Sequence, residues 1–220
     1  MTDTVHRPQP RIRTPRVRTL LDHLFARADH DGETDTDWQA FLAASAAERA
    51  DLCAAEYMPV SRTGGELLYS LVRATSPLTV LEFGTSYGIS TIYLAAAVAD
   101  NQKGHVHSSE LSTAKLAAAG ANLAEAGLDD VVTLLPGDAR ETLPRVEGPI
   151  DLLLLDGWKD LYLPVLRALE PALRPGAMVI ADDSTFDSVG EYLHYVRDPQ
   201  NGYVSTAFPV EDGMEISTRA

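Results

Sequence analysis

Three aspartates and one lysine fall at positions where an alternating strand–helix chain would build a reaction centre. Residues 151–160 read Asp-Leu-Leu-Leu-Leu-Asp-Gly-Trp-Lys-Asp, and residues 178–183 read Met-Val-Ile-Ala-Asp-Asp. Each is a short apolar run that stops on acid, the pattern of a parallel strand covered on both faces. Asp156 then lies at the carboxyl end of one strand, with Asp182 and Asp183 at the carboxyl end of the next. In open α/β sheets that edge is where ligands bind. Three carboxylates there repel one another unless something positive sits between them. Hard oxygen donors favour a divalent cation such as Mg²⁺. Lys159, three residues past Asp156, brings an amine to the same place. Taken singly, each acid is explained equally well as a cap on the following helix; all four residues in one frame favour the cation.

A second cluster lies earlier in the chain. Val80-Leu-Glu-Phe-Gly-Thr-Ser-Tyr-Gly-Ile-Ser90 follows one apolar run and opens a helical pattern. Gly84 and Gly88 allow a tight turn and close approach to a ligand, while Ser86 and Ser90 bring hydroxyls to a helix N-terminus. A dinucleotide site would show Gly-x-Gly-x-x-Gly and a pyrophosphate on the helix end. Here the spacing is Glu-x-Gly-x-x-x-Gly, and Glu82 would repel a pyrophosphate but suit an amine. The next strand ends at Glu110, followed by Leu111, where an acid accepts both hydroxyls of a ribose. The third ends at Pro136-Gly-Asp138-Ala139-Arg140, placed to hold an adenine edge. Adenosine joined to a zwitterionic amino acid describes S-adenosylmethionine.

The elements that position these residues follow from periodicity. Two helices are expected first, over about 17–30 and from an N-cap at Asp37 to about residue 57. A helix over 62–76 leads to strand 78–83. Then come helix 88–100, strand 104–110, helix 112–126, strand 131–135, helix 139–146, strand 150–155, helix 160–173 and strand 176–181. Such alternation gives a parallel sheet with right-handed crossovers. A helical piece near 187–197 precedes Tyr203–Pro209 and Met214–Thr218, which read as a terminal antiparallel hairpin. The acidic stretch 29–37 lacks the ligand spacing of a calcium loop. Residues 1–20 form a basic arm, 21–60 a helical cap, and 21–220 one domain.

The chain of 220 residues fits a single sizeable core. Its net charge of −14 argues against nucleic acid or anionic lipid as a partner. Five arginines (7, 11, 13, 16 and 18) stand against one aspartate in the first 20 residues. An arm of that kind docks on its own domain or on a sister subunit of a homodimer, or stays a solvated tail. No apolar run approaches a membrane span, and the N-terminal stretch lacks the apolar core of a secretory signal. Cys53 has no partner for a disulfide, which indicates a reducing, cytoplasmic setting. The six histidines show no metal-ligand spacing.

From about residue 58 to 185 the chain resembles the class I S-adenosylmethionine-dependent O-methyltransferases of the metal-dependent, catechol O-methyltransferase-like branch. Leu155-Asp-Gly-Trp-Lys-Asp-Leu-Tyr-Leu-Pro164 carries the likeness most specifically. Met58-Pro-Val60, Leu81–Ser90, Glu110, Gly127-Leu-Asp-Asp-Val-Val-Thr133 and Ala181-Asp-Asp183 follow in family order. The resemblance implies a Rossmann-like methyltransferase fold: an α/β, seven-stranded mixed sheet with helices on both faces and a C-terminal antiparallel hairpin. It implies that Glu82 takes the methionine amine, with Ser90 and the Val60 backbone nearby, and that Glu110 holds the ribose. Ala139, Arg140 and Trp158 border the adenine. Asp156, Asp182 and Asp183 bind Mg²⁺, and Lys159 is the general base.

On this reading the acceptor is a small, catechol-like aromatic. A phenol with a pKa near 10 is a poor nucleophile at neutral pH, and coordination to a divalent cation lowers that pKa. Lys159, beside the cation and partly desolvated, is expected to have a depressed pKa and to accept the phenol proton. Three departures from the family pattern bear on the acceptor. Asp183 replaces the usual Asn, Thr206 aligns near the place of a glutamate that grips the second hydroxyl, and Arg140 replaces a smaller amide. The alternatives are methyl transfer to a non-catechol hydroxyl or a nitrogen, and, from a different class, an NAD-dependent oxidoreductase, which Glu82 and the glycine spacing oppose.

Overall fold

The computed structural model describes residues 9–32 and 38–220. Helix α1 (Pro15–Ala28) has proline in its first turn. Helices α2 (Trp38–Ala43) and α3 (Ala46–Leu52) follow, and then α4 (Arg62–Thr75). The alternating part runs β1 (Thr79–Phe83), α5 (Ile89–Asn101), β2 (His105–Glu110), α6 (Thr113–Ala126), β3 (Val132–Pro136), α7 (Ala139–Thr142), β4 (Ile150–Leu155), α8 (Tyr162–Leu169) and β5 (Leu173–Ala181). Helix α9 (Gly190–Arg197) and strands β6 (Tyr203–Phe208) and β7 (Met214–Arg219) complete the chain.

One seven-stranded sheet has the order β3-β2-β1-β4-β5-β7-β6. The first five strands pair in parallel, and β7 pairs antiparallel with both β5 and β6. The expected mixed sheet and reversed hairpin are therefore present. The central strands are apolar on both faces because each face is covered. One buried cluster joins Val80, Leu152 and Ile180 to α1, α4 and α5, and the other joins Leu81, Leu153 and Val179 to α8 and α9. The strand order reverses at β1 and β4, so the carboxyl ends of these two neighbours open the crevice of the doubly wound sheet.

Four local expectations are corrected. A single helix from 37 to 57 does not form: Ser45 and Glu48 make a reciprocal capping box that starts α3 anew, with the Glu48 amide donating to the Ser45 hydroxyl and the Ser45 amide to the Glu48 carboxylate. Asp37 itself lies outside the described residues. The helices expected over 139–146 and 160–173 are shorter, because Pro144 and Pro171 turn their ends into 3₁₀ segments. Strand β5 begins at Leu173 rather than 176, since Ile150 pairs with Leu173 ahead of a register shift that brings Leu152 opposite Met178.

The described part of the basic arm is no solvated tail. Ile12, Val17 and Leu20 are buried in the core. The Arg11 amide donates to Asp100, and Arg16 donates to the carbonyls of Ala124 and Glu125 at the end of α6. A cation there satisfies carbonyls that a helix C-terminus leaves unpaired.

Candidate active site

Strands β1, β4 and β5 deliver their carboxyl ends side by side, and the acids come with them. Carboxylate oxygens of Asp156, Asp182 and Asp183 lie within 4.8 Å of one another. The Asp156 and Asp182 amides continue the ladder, donating to the carbonyls of Phe83 and Leu155, so both residues are fixed by the sheet. Asp183 turns away from strand geometry at φ +54°, a left-handed conformation that Asn and Asp adopt more readily than other side chains. That twist aims two consecutive carboxylates at one point.

Lys159 reaches into the cluster from the 3₁₀ turn after β4. Its Nζ is 2.7 Å from Asp183 and 3.6 Å from Asp156. It also donates at 2.8 Å to the hydroxyl of Tyr162, which donates at 3.2 Å to the Asp182 carbonyl. Sequence reasoning passed over Tyr162; its signal was the spacing of three from Lys159, one turn on along the same helix face.

Charge crowding sets the proton affinities. Burial, then the nearby Asp182, holds Asp156 well above the usual carboxylate range. Burial, then Asp183, pushes Asp182 up to about 6. Burial draws Lys159 down, but Tyr162, Asp156 and Asp183 outweigh it, and the amine is raised above the ordinary lysine value. The expected depression of Lys159 is therefore corrected: the Tyr162 hydroxyl and the Asp156 and Asp183 carboxylates outweigh the desolvation on which it rested. A divalent ion among these donors would offset the acids that hold the amine charged. Three convergent carboxylates in a mostly buried setting are a donor set that fits such an ion.

The β1 turn brings the second cluster to the same edge. Gly84 has φ +104°, and a Cβ there would stand 2.5 Å from the Asp156 carbonyl oxygen. Only glycine lets this turn pass against the end of β4. Gly88, also left-handed, caps α5. Ser86 adopts φ +47°; its amide donates to Glu110 at 2.8 Å and its hydroxyl to the Tyr57 carbonyl at 2.7 Å. Glu110 accepts from the Ser112 amide with its other oxygen, at 2.8 Å. Leu111 lies between these two contacts in the turn that leads to α6.

Glu82 is fully buried beneath the β1 turn. Hydroxyls of Thr91 and Ser108 donate to one of its oxygens, and the other has no hydrogen-bond partner. Burial raises its pKa, against the lowering effect of the Ser108, Thr91 and Ser90 hydroxyls. An orphaned buried carboxylate oxygen fits a cationic amine. Ser90 is buried in the first turn of α5, one residue before Thr91. Val60 is buried next to Ser61, which caps α4.

At the β3 end, Asp138 caps α7 and takes the Arg140 amide and guanidinium. Arg140 therefore folds back onto Asp138, whose pKa that contact lowers. Ala139 is buried beside them. Trp158 is half-buried, with its indole N–H on the Ala46 carbonyl at 3.1 Å. Thr206 sits mid-strand in β6, paired with Ile216 and exposed. Of the aromatics that follow β5, Tyr192 is core, Tyr195 donates to Glu170, and Phe186 is exposed.

Comparison with known proteins bears on this geometry. A methyltransferase-domain family model matches residues 81–184. Catechol O-methyltransferase B of Danio rerio is 33% identical over 73% of this chain and 65% of its own length. The catechol O-methyltransferase of Sus scrofa is 30% identical, covering 64% of this chain and 78% of that protein. The chain belongs to the S-adenosylmethionine-dependent O-methyltransferases of the catechol O-methyltransferase-like family. Among solved structures, cofactor-bound Rv0187 from MTB superposes with a TM-score of 0.68 at 27% identity, over 97% of this chain and 98% of that one. The chain spans between about half and two thirds of the length of several curated relatives it matches. Family membership fits the Glu82 and glycine-turn geometry and leaves the NAD-dependent alternative without support. No helix among the described residues is long and apolar enough to cross a membrane.

Proposed function

We propose that the protein transfers the methyl group of S-adenosylmethionine to a hydroxyl of a small, catechol-like aromatic acceptor, with a divalent cation, Mg²⁺ in the first instance, held by Asp156, Asp182 and Asp183. The observation that carries this reading is the convergence of those three carboxylates on Lys159 at the edge shared with Glu82. The curated relatives named above are catechol O-methyltransferases, which favours a catechol over a nitrogen or a lone hydroxyl.

The residues divide the work by position. Glu82 offers its unpaired oxygen to the amine of the cofactor, with Ser90 and the Val60 backbone at the same end. Gly84 and Ser86 let the β1 turn lie close over it. Glu110, with Leu111, faces the ribose; each of its oxygens accepts one backbone amide and keeps a further lone pair for a ribose hydroxyl. Asp138, Ala139 and Trp158 border the base. When bound, the cofactor supplies an electrophilic sulfonium methyl and the cation supplies Lewis acidity at an acceptor oxygen. Lys159 would accept the hydroxyl proton at Nζ once a bound cation offsets the carboxylates that otherwise keep the amine charged, and Tyr162 holds that nitrogen in place. The rigid strand ends keep donor and acceptor in line, an orientation effect worth several kcal/mol.

The test is methyl transfer to a panel of catechols, monophenols and amines. Catechol turnover should disappear in EDTA and return with added Mg²⁺. Lys159→Ala should lower turnover by about 10²-fold or more while S-adenosylhomocysteine still binds. Unchanged turnover in EDTA would falsify the role given to the cation.

A further inference from the structure

The segment from Ser45 to Met58 crosses from one cofactor loop to another, and its two ends are fastened differently. At its far end the segment is held by its own backbone groups and by one buried ring. The Tyr57 and Met58 amides donate to the Asp31 carboxylate at 2.8 and 2.6 Å. The Tyr57 carbonyl accepts from Ser86, the Ala54 carbonyl accepts from the Tyr87 hydroxyl at 2.9 Å, and the Tyr57 and Tyr87 rings stack at 3.8 Å. Those contacts tie the segment to the β1 turn.

The near end meets the loop after β4, through side chains. The Trp158 indole donates to the Ala46 carbonyl. Arg49 grips Asp160 with both terminal nitrogens, at 3.0 and 2.9 Å, and its guanidinium lies 5.3 Å from the Trp158 ring centre. The Arg49 side chain is 17% exposed, and its Nε is buried without a partner. A planar fork that binds a carboxylate bidentately while stacking on an indole is a task lysine cannot copy.

We propose that Arg49 is a positioning residue that latches segment 45–58 over the cofactor crevice by holding Asp160 and Trp158. This rests on the reading of the β1 and β4 loops as the cofactor site. The latch joins the cap to the loop that also bears Asp156 and Lys159, so cofactor retention and the placement of those two residues depend on one contact. The β4-loop end is the one that opens, because it is held by an ion pair and a ring contact with a half-exposed acid and one indole hydrogen bond, whereas at the other end four backbone groups of the segment are hydrogen-bonded and the buried Tyr57 ring stacks on Tyr87.

The experiment uses the full chain with S-adenosylhomocysteine as probe. Dissociation is followed by stopped flow, and amide exchange of residues 46–52 is read with and without the probe. Arg49→Glu and Asp160→Arg should each speed dissociation roughly fivefold, the scale of a bidentate, ring-stacked pair. The double exchange Arg49→Glu with Asp160→Arg, which restores opposite charges, should dissociate more slowly than either single variant. A merely structural loss would not be rescued in this way. Singles that release the probe at the wild-type rate, or a double that is no slower than the slower single, would overturn the latch. If the wild-type chain does not bind the probe, the cofactor reading fails, and the latch is then judged by exchange alone: Arg49→Glu must speed exchange over 46–52, and unchanged exchange overturns it.

Discussion

Asp182→Asn distinguishes a cation site from a merely structural acidic cluster, because its two effects have opposite sign. Asp182 is pushed from 3.8 up to about 6, by burial first and Asp183 second. A rise of that size corresponds to about 3 kcal/mol between the protonation states. A carboxyl whose folded pKa exceeds its unfolded value holds its proton more tightly in the native state. The fold therefore loses stability as pH rises from about 4 to about 6, and carries the whole penalty above that. Asparagine cannot ionise. In EDTA at neutral pH the variant should be more stable than wild type by up to about 3 kcal/mol, or roughly 6–12 °C in melting temperature for a chain of this size. That gain should vanish below about pH 4, where both side chains are neutral. Cation binding reverses the order: Mg²⁺ at a thousandfold excess over Kd stabilises wild type by about 4.1 kcal/mol, while the variant has lost one anionic donor. Scanning calorimetry in EDTA and in Mg²⁺, at acid and neutral pH, reads all four cases. A variant that is less stable than wild type in EDTA at neutral pH, or that keeps the full Mg²⁺ response, would refute the reasoning.

Other perturbations test the framework around the cluster. Gly84→Ala should destabilise by about 2–4 kcal/mol, from left-handed strain plus the clash with the Asp156 carbonyl; equilibrium denaturation measures it, and a near-neutral result would mean the β1 turn is not pressed against β4. Glu82→Gln should weaken S-adenosylhomocysteine binding by roughly tenfold in calorimetry, since a buried carboxylate with a free oxygen loses its charge. Arg197→Ala strips the fully buried Glu215 of its bidentate partner. With Arg197 48% exposed, the cost should be about 2–3 kcal/mol, below the range for a fully buried pair. Burial works to raise Glu215, but Arg197 and Ser205 outweigh it and its pKa is lowered. The wild-type advantage should accordingly be present at neutral pH and fade as pH falls below about 4.5, which urea titrations across that range would show.

The fold was legible because its signals are local. Unbroken apolar runs ending on acid marked β4 and β5, glycine turns marked the end of β1, and Glu-Asp-Gly between two β-rich stretches marked the hairpin. The places misjudged are those where a competing local device acted: the Ser45 capping box split one helix into two, and Pro144 and Pro171 shortened two more. Within the site, residue types and strand-end positions indicated Asp156, Asp182, Asp183, Glu82 and Glu110, because strand ends of a parallel sheet converge whatever lies between them in sequence.

Distance and charge state belong to the tertiary structure alone. Tyr162 meets the Asp182 carbonyl only once the chain after β4 packs against the end of β5. Arg140 turns back onto Asp138 instead of toward the base. Arg49 reaches Asp160 across a sequence separation of 111. The raised affinity of Asp182 for a proton and the charged state of Lys159 follow from how many like and unlike charges share one desolvated space. The order of amino acids names the groups that can meet at a sheet edge; packing decides how closely they meet and how much water remains among them, and proton affinities follow from that.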